Sequence, residues 1–434
     1  MVRERSSTER TSVELFAGAG GLALAVHHAG FRPLLLNEVM EHACDTLEAN
    51  GAKQRGEEPR VPAEGEPWPL VRDDVRELDM SYLSGKVDLL AGGPPCQPFS
   101  LGGVAKGDED KRNMFPEMFR AIREIQPKAV ICENVRGLLR PSFKPYFDYI
   151  LRELEFPFEK RNPKHKWFEH DAILREKKQR ARKSRHRYRV YQFSVNAADY
   201  GVPQIRNRVI IVAFRSDLEI KESLLLDAVK PTHSEEALCR SLETGEYWKR
   251  HPRVPQHVRE YVARKFGHRR PLFSHDSGFK PWLTLRDAIA GFDGEYEALP
   301  PVPWDRLDRK QHDDMPKEHI GWPGARIYTG HTPNVLDRPA KAVKAGVHGV
   351  PGGESVMLTD TLTKRSELTS EYPYRYRYMT VRETARVMTF PDEWNLSGPR
   401  GEQMRQLGNA VPVRLGEVFA RAVAHVLDDV ESRG

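Results

Sequence analysis

Cysteine is scarce in this chain: Cys44, Cys96, Cys132 and Cys239 are the only four among 434 residues, with no CxxC and no Cys/His pairing at ligand spacing. That excludes a disulfide framework and a zinc module, gives no metal site to expect, and suits a compartment with reduced thiols. Long apolar runs are missing too. No uncharged stretch approaches the roughly 18–20 residues of a spanning helix, and 30% charged residues with a mean hydropathy of −0.62 agree. Val13–Val26 follows three arginines, the outline of a secretory signal, but Glu14 interrupts it and Gly18, Gly20 and Gly21 sit inside it. A cytoplasmic protein without a membrane partner is expected. Nor does one sign of charge dominate: 68 Lys and Arg against 62 Asp and Glu leave +6, a weak pointer to a polyanionic partner.

What the chain has is alternation. Ser12–Phe16, Pro33–Leu36, Val87–Leu90, Lys128–Cys132 and Val209–Phe214 are short apolar runs. Helical patterns lie between them at Gly21–Ala29, Met40–Asn50, Met114–Ile125 and Pro145–Leu154. Such a series predicts an α/β domain around a parallel sheet covered on both faces. From Arg215 to about Tyr378 the alternation stops, and the stretch reads as a separate, loop-rich domain. Helical pattern returns at Thr380–Thr389 and Glu417–Leu427.

Several motifs sit at the expected strand ends, where open α/β sheets bind ligands. Phe16-Ala17-Gly18-Ala19-Gly20-Gly21 is a glycine turn between strand and helix, and Glu38 follows at the end of the next strand. NAD, FAD and S-adenosylmethionine all fit this pair. Pro94-Pro95-Cys96-Gln97 mounts a thiol on a rigid lead-in, which suits a nucleophile, whereas Cys132 in an apolar run reads as structural. Glu133-Asn134-Val135 would put a carboxylate beside that loop if the strands are neighbours. In Gln204-Ile-Arg206-Asn-Arg208, alternate residues of an extended segment share a face and offer forked donors to a phosphate or carbonyl. Gly408-Asn409-Ala410-Val411-Pro412 precedes the last helix.

Taken in order, and with Thr380-Val-Arg-Glu383-x-Ala-Arg386-x-Met-x-x-Phe390-Pro391, these pieces resemble the cytosine-C5 DNA methyltransferase family over about residues 12–214 and 378–430. The resemblance implies a Rossmann-like S-adenosylmethionine-dependent catalytic domain (1–214), a smaller target-recognition domain (215–377) and a C-terminal segment (378–434) returning to the first. It places Phe16 to Gly21, Glu38 at the ribose, Val39, Asp74 near the adenine, Val75, Pro95, Asn409 and Ala410 around the cofactor. Cys96 would attack C6 of a flipped-out cytosine, with Arg206 holding the thiol as thiolate. Glu133 would hold a proton toward N3 and Arg208 would bind O2; Gln97, Ser100 and Gln204 would contact the DNA. Double-stranded DNA is the implied partner, in a bacterial, nucleoid-associated setting, and a companion restriction endonuclease is left open. Two features depart from the family pattern. Val39 stands where an aromatic commonly follows the ribose acid, and a basic insertion occupies about 157–190.

Within that insertion Arg175–Arg189 holds nine Lys or Arg against Glu176 alone. It reads either as a solvated helix or loop, or as a phosphate contact through Arg180, Arg182, Lys183 and Arg185. An NAD-dependent oxidoreductase would share the glycine turn but has no use for Pro-Pro-Cys beside Glu-Asn-Val. A tRNA cytosine methyltransferase would share the catalytic set, yet the Cys-Phe-Thr-type signature of that branch is missing. A DNA-binding protein with a decayed methyltransferase fold would not need Cys96, Glu133 and Arg208 intact.

Overall fold

The computed structural model describes residues 9–56, 59–95, 113–180, 185–266, 278–291, 297–328, 332–345, 355–363 and 372–433. Cys96, Gln97, Ser100, Arg182 and Lys183 lie outside the described residues. The chain divides into two units, one of Met1–Val195, Asn207–Lys230 and Gly416–Gly434, the other of Asn196–Arg206 and Pro231–Leu415.

The first unit is an α/β layer structure. In chain order it contains β1 (Arg10–Leu15), α1 (Gly21–His28), β2 (Phe31–Asn37), α2 (Glu41–Ala49), β3 (Lys53–Gln54), β4 (Pro69–Val71) and β5 (Leu89–Gly92). Next come α3 (Phe115–Ile125), β6 (Ala129–Val135), α4 (Lys144–Glu155), α5 (Trp167–Arg180) and β7 (Tyr188–Asn196). The short β8 (Gln204–Ile205) belongs to the second unit, and β9 (Asn207–Arg215) returns to the first. Eight strands form one sheet in the order β3-β4-β2-β1-β5-β6-β9-β7. Val13, Leu15, Leu35, Leu90, Val130, Val209 and Ile211 are buried in its core with Phe119 and Ile122 of α3 and Phe147, Ile150 and Leu154 of α4. The apolar runs are continuous because helices cover both faces.

One feature of the sheet corrects the all-parallel expectation. β1, β2, β4, β5 and β6 run parallel to their neighbours in that set, but β9 pairs antiparallel with β6, Val135 opposite Arg208. The short stretch 197–206 before β9 holds none of the crossover helix that a parallel strand requires. The functional consequence is direct. A reversed β9 starts where β6 ends, so Arg208 arrives at the same edge as Glu133.

The helix Val413–Arg433 joins the first unit from residue 416 onward, burying Phe419, Ala422, Val423, Val426 and Leu427. Arg10 of β1 donates to Asp428 and Glu431 near its end, and Lys128 pairs with Glu431.

The boundaries and content of the second unit differ from the expectation. Residues 378–415 belong to it, and the stretch expected to be loop-rich contains the helices Glu235–Glu243, Glu246–Arg250, Gln256–Phe266 and Leu285–Ala290. The reason lies in packing. Leu285 and Ala288 share a cluster with Met379 and Val387, and Arg386 donates to the Ala288 carbonyl. Buried ion pairs join Arg286 to Asp337 and Arg377 to Glu383. Thr380 and Glu383 form a reciprocal capping box at the start of Val381–Val387.

Candidate active site

Register fixes a row of residues across one edge of the sheet. Leu15 is paired with Asn37 on one side and Gly92 on the other, and Gly92 with Cys132. The residues one step beyond this row are Phe16, Glu38, Gly93 and Glu133, all at the carboxyl ends of parallel strands, where ligands are bound.

The Phe16–Glu38 half of the row is strained and pinned. Phe16 has φ of 60°, an outlier for a bulky side chain, and Gly18 and Gly20 follow at 55° and 84°. Glu38 holds this turn from the side. Its Oε2 accepts from Gly18 N–H at 2.7 Å, and its Oε1 from Val39 and Met40 N–H at 2.9 and 2.8 Å. The last two amides open α2, whose N-terminal dipole favours a carboxylate. Asn37 donates to the Asp73 carbonyl, drawing the β4 exit alongside. There Asp74 accepts from the backbone and side chain of Arg76, which holds its carboxyl below the usual range; Val75 beside it is buried. Glu14, which the sequence offers only as a break in an apolar run, is buried beside the turn, and burial pushes its carboxyl well above the usual range.

The Gly93–Glu133 half is built on Gly92 and Asn134. A Cβ at Gly92 would lie 3.0 Å from the Leu15 carbonyl and 3.1 Å from Met118 Sδ, tight enough that a side chain there would push its neighbours by a few tenths of an ångström. At Gly93 a Cβ would stand 3.6 Å from Glu133 Oε2. The backbone leading to Cys96 therefore crosses directly over that carboxylate. Asn134 Nδ2 donates to the Pro94 carbonyl at 3.0 Å, fixing the lead-in, a role that motif reading does not assign to it. Met114 N–H donates to the Pro95 carbonyl, so Pro95 and the segment Asn113–Met114 sit side by side. Arg208 Nε lies 2.5 Å from Glu133 Oε1, a close ion pair that lacks the linear geometry of a hydrogen bond.

The other expected site residues lie in different surroundings. Gln204 is wholly buried and donates to Met388 Sδ, while Arg206, 1% exposed, donates to the carbonyls of Val343, Gly408 and Ala410. These two do share a face, 3.5 Å apart, but Arg208 points to Glu133 instead. Asn409 is exposed and Ala410 buried. In the basic insertion, much of the charge is matched locally: Arg175 pairs with Asp171, Lys177 with Glu159, and Lys178 and Arg187 with Glu155. Arg180 is exposed, and Arg185 lies 3.5 Å from Asp217. Among the described residues no cluster of His, Cys, Asp and Glu could hold a metal, and no helix is long and apolar enough to cross a membrane.

Comparison with known proteins bears on this edge. The sequence profile of the C-5 cytosine-specific DNA methylase family matches residues 10–156 and 183–425, passing over 157–182 of the insertion. The type II methyltransferase M.PspPI of Psychrobacter sp. is 31% identical over 420 residues, 96% of this chain and 79% of that one. M.Eco47II of Escherichia coli is 31% identical over 436 residues, 99% and 82% of the two chains. Among solved structures, a DNA modification methyltransferase encoded within an E. coli prophage has a TM-score of 0.53 at 18% identity, covering 96% of this chain and 99% of that one. Spodoptera frugiperda DNMT2 has a TM-score of 0.51 at 16% identity, covering 96% and 99%. These structures support the fold.

Proposed function

The chain belongs to the C-5 cytosine-specific DNA methylase family, enzymes that use S-adenosylmethionine, and from that premise we propose a covalent, base-flipping mechanism carried by Cys96, Glu133 and Arg208. The carrying observation is the Gly92–Pro95 lead-in, whose Gly93 stands against the Glu133 carboxylate of the Glu133–Arg208 pair and whose Pro94 is tied to Asn134; Cys96 is the next residue in sequence.

The cofactor edge fits S-adenosylmethionine. Three N–H groups occupy Glu38, whose carboxylate has about four acceptor sites, so one remains for a ribose hydroxyl. Val39 and Met40, 61% and 44% exposed, offer apolar surface for a flat ring where an aromatic is otherwise usual. When bound, the cofactor supplies an electrophilic methyl group. Everything else falls to the chain. Cytosine C5 is a poor nucleophile, so the Cys96 thiolate adds first to C6. Glu133 shares a proton with N3, and Arg208 donates to O2, so the charge entering the ring is offset where it develops. C5 then accepts the methyl group, loses its proton, and Cys96 leaves by elimination. A base stacked in a duplex is out of reach of such a thiol, hence the flipping.

The relatives' names suggest a type II setting, with one methylated sequence and a companion endonuclease acting on it without a stable complex. Residues 215–377 are proposed to read the bases; a folded chimera carrying this stretch from a relative of different specificity should methylate a different sequence. The mechanism itself is tested with labelled S-adenosylmethionine and duplex DNA. Label should appear on cytosine C5, and duplex carrying 5-fluorocytosine, which cannot release its C5 substituent, should trap a protein–DNA adduct. Cys96→Ser should abolish both while DNA still binds. An adduct that forms without Cys96, or label found on tRNA and not DNA, refutes the proposal.

A further inference from the structure

Arg206 reads from sequence as the cation that activates the thiol, but its surroundings carry a different role. Three backbone carbonyls from two segments of the second unit converge on its guanidinium. Nη1 donates to the Val343 carbonyl at 3.0 Å, and Nη2 donates to the carbonyls of Gly408 at 2.7 Å and Ala410 at 2.9 Å. The strand β8 just before it pairs with Ala340–Lys341, so the segments 204–206 and 340–343 are already in register. Gly408 completes the junction. A Cβ there would stand 2.5 Å from Ala345 N and 2.6 Å from Lys344 C, backbone atoms that cannot swing aside.

The two carbonyls gripped by Nη2 belong to the residues on either side of Asn409. Asn409 itself is exposed, while Gly408 and Ala410 are buried. We infer that Arg206 is a positioning residue: it clamps the loop from both sides of Asn409 and thereby presents the Asn409 amide to S-adenosylmethionine. The inference rests on the placement of Asn409 around the cofactor. Arginine suits the task because its planar fork reaches separate acceptors with separate nitrogens, whereas lysine offers one compact point charge. A loop held only by its own backbone would lose the orientation of the one side chain it exposes.

The test is a double-mutant cycle on the full-length protein, with S-adenosylmethionine affinity read by calorimetry. Arg206→Lys and Asn409→Ala should each weaken binding by about tenfold or more, in line with losing one hydrogen bond to a charged or oriented group. Their combination should lose little beyond the larger single effect, because both remove the same contact. Multiplying losses would show that Arg206 acts elsewhere and overturn the inference. Unchanged affinity in Asn409→Ala alone would instead remove the cofactor placement of Asn409 on which it rests. A second readout separates the clamp from thiol activation. Arg206→Met removes the charge, and the pH–rate profile of methyl transfer at saturating cofactor should keep its position. A profile displaced to higher pH with cofactor affinity intact would assign Arg206 to the thiol and overturn the clamp. Should the methionine variant not fold, the lysine cycle decides alone.

Discussion

Glu38→Gln is the most discriminating single change at the proposed cofactor edge, since it keeps the shape of the side chain and alters only its charge and one acceptor. The carboxylate receives three N–H bonds of 2.7–2.9 Å, two at Oε1 from Val39 and Met40 and one at Oε2 from Gly18. A glutamine can keep its oxygen toward the α2 amides, but its NH2 then faces the Gly18 N–H, donor against donor. Leaving that half-buried amide without its partner costs up to about 1–3 kcal/mol, and the two retained bonds lose their charge assistance. The loss falls on the turn holding Phe16 and Gly18 at positive φ, conformations that persist only while their surroundings enforce them. The expected result is a stability loss of about 1–3 kcal/mol in urea unfolding. It should be accompanied by at least about tenfold weaker S-adenosylmethionine binding in calorimetry, each tenfold being about 1.4 kcal/mol. DNA binding without cofactor should be nearly unaffected. If stability and cofactor affinity both match the parent protein, Glu38 neither holds the turn nor meets the ligand, and the account of this edge is wrong.

Other perturbations probe the rest of the molecule. Burial between α3, α4 and α5 pushes Glu153 up to about 7, against the favourable hydroxyl of Tyr149 and the charges of Arg161 and Arg123. Its carboxyl therefore keeps a proton in the folded protein that it gives up in the unfolded chain, so the associated stability is full below the unfolded pKa and is lost as pH rises through about 7. Glu153→Gln should match the parent near pH 4 and exceed it by roughly 3 kcal/mol at pH 8; a gap independent of pH in denaturant melts would contradict this. In the basic insertion, Arg175, Lys177, Lys178 and Arg187 already have close acidic partners, and the exposed Arg185 has a looser one in Asp217 at 3.5 Å. Neutralising Arg180 and Arg185 together should therefore flatten the log–log salt slope of DNA binding by no more than about 1.8, at 0.9 per phosphate contact. The methylated sequence should stay the same, and an unaltered slope would mark both side chains as merely solvated.

Much of this architecture was legible because parallel, fully covered strands announce themselves as unbroken apolar runs, as in Val130-Ile131-Cys132 and Val209–Phe214. Edge strands do not. β7 reads Tyr-Arg-Val-Tyr-Gln-Phe-Ser-Val-Asn, half exposed, and merges in sequence with the basic run before it. The helix Gln256–Phe266 was equally hard to see, because it buries only Val258 and Val262. At the site, motif spacing identified Phe16 to Gly21, Glu38 and Glu133 as edge residues, since each follows a strand. It could not identify partners distant in sequence. The acceptors of Arg206 lie 137, 202 and 204 residues away, and nothing local to Gln204–Arg208 separates a side chain aimed at a carbonyl from one aimed at a ligand. The reversal of β9, which brings Arg208 to Glu133, was hidden for the same reason: direction in a sheet is set by connections, not by composition.

The ties between Arg10 and residues 428 and 431 place a requirement on biosynthesis. The first strand of the central sheet emerges from the ribosome about 400 residues ahead of its ionic partners, and at ~5–20 residues per second that interval lasts tens of seconds. Throughout it the sheet lacks the apolar face of Phe419, Val423, Val426 and Leu427 as well as Asp428 and Glu431. The first unit thus becomes complete only after residue 431 has been made, and a nascent chain interrupted before residue 416 carries an uncovered sheet for quality control to find.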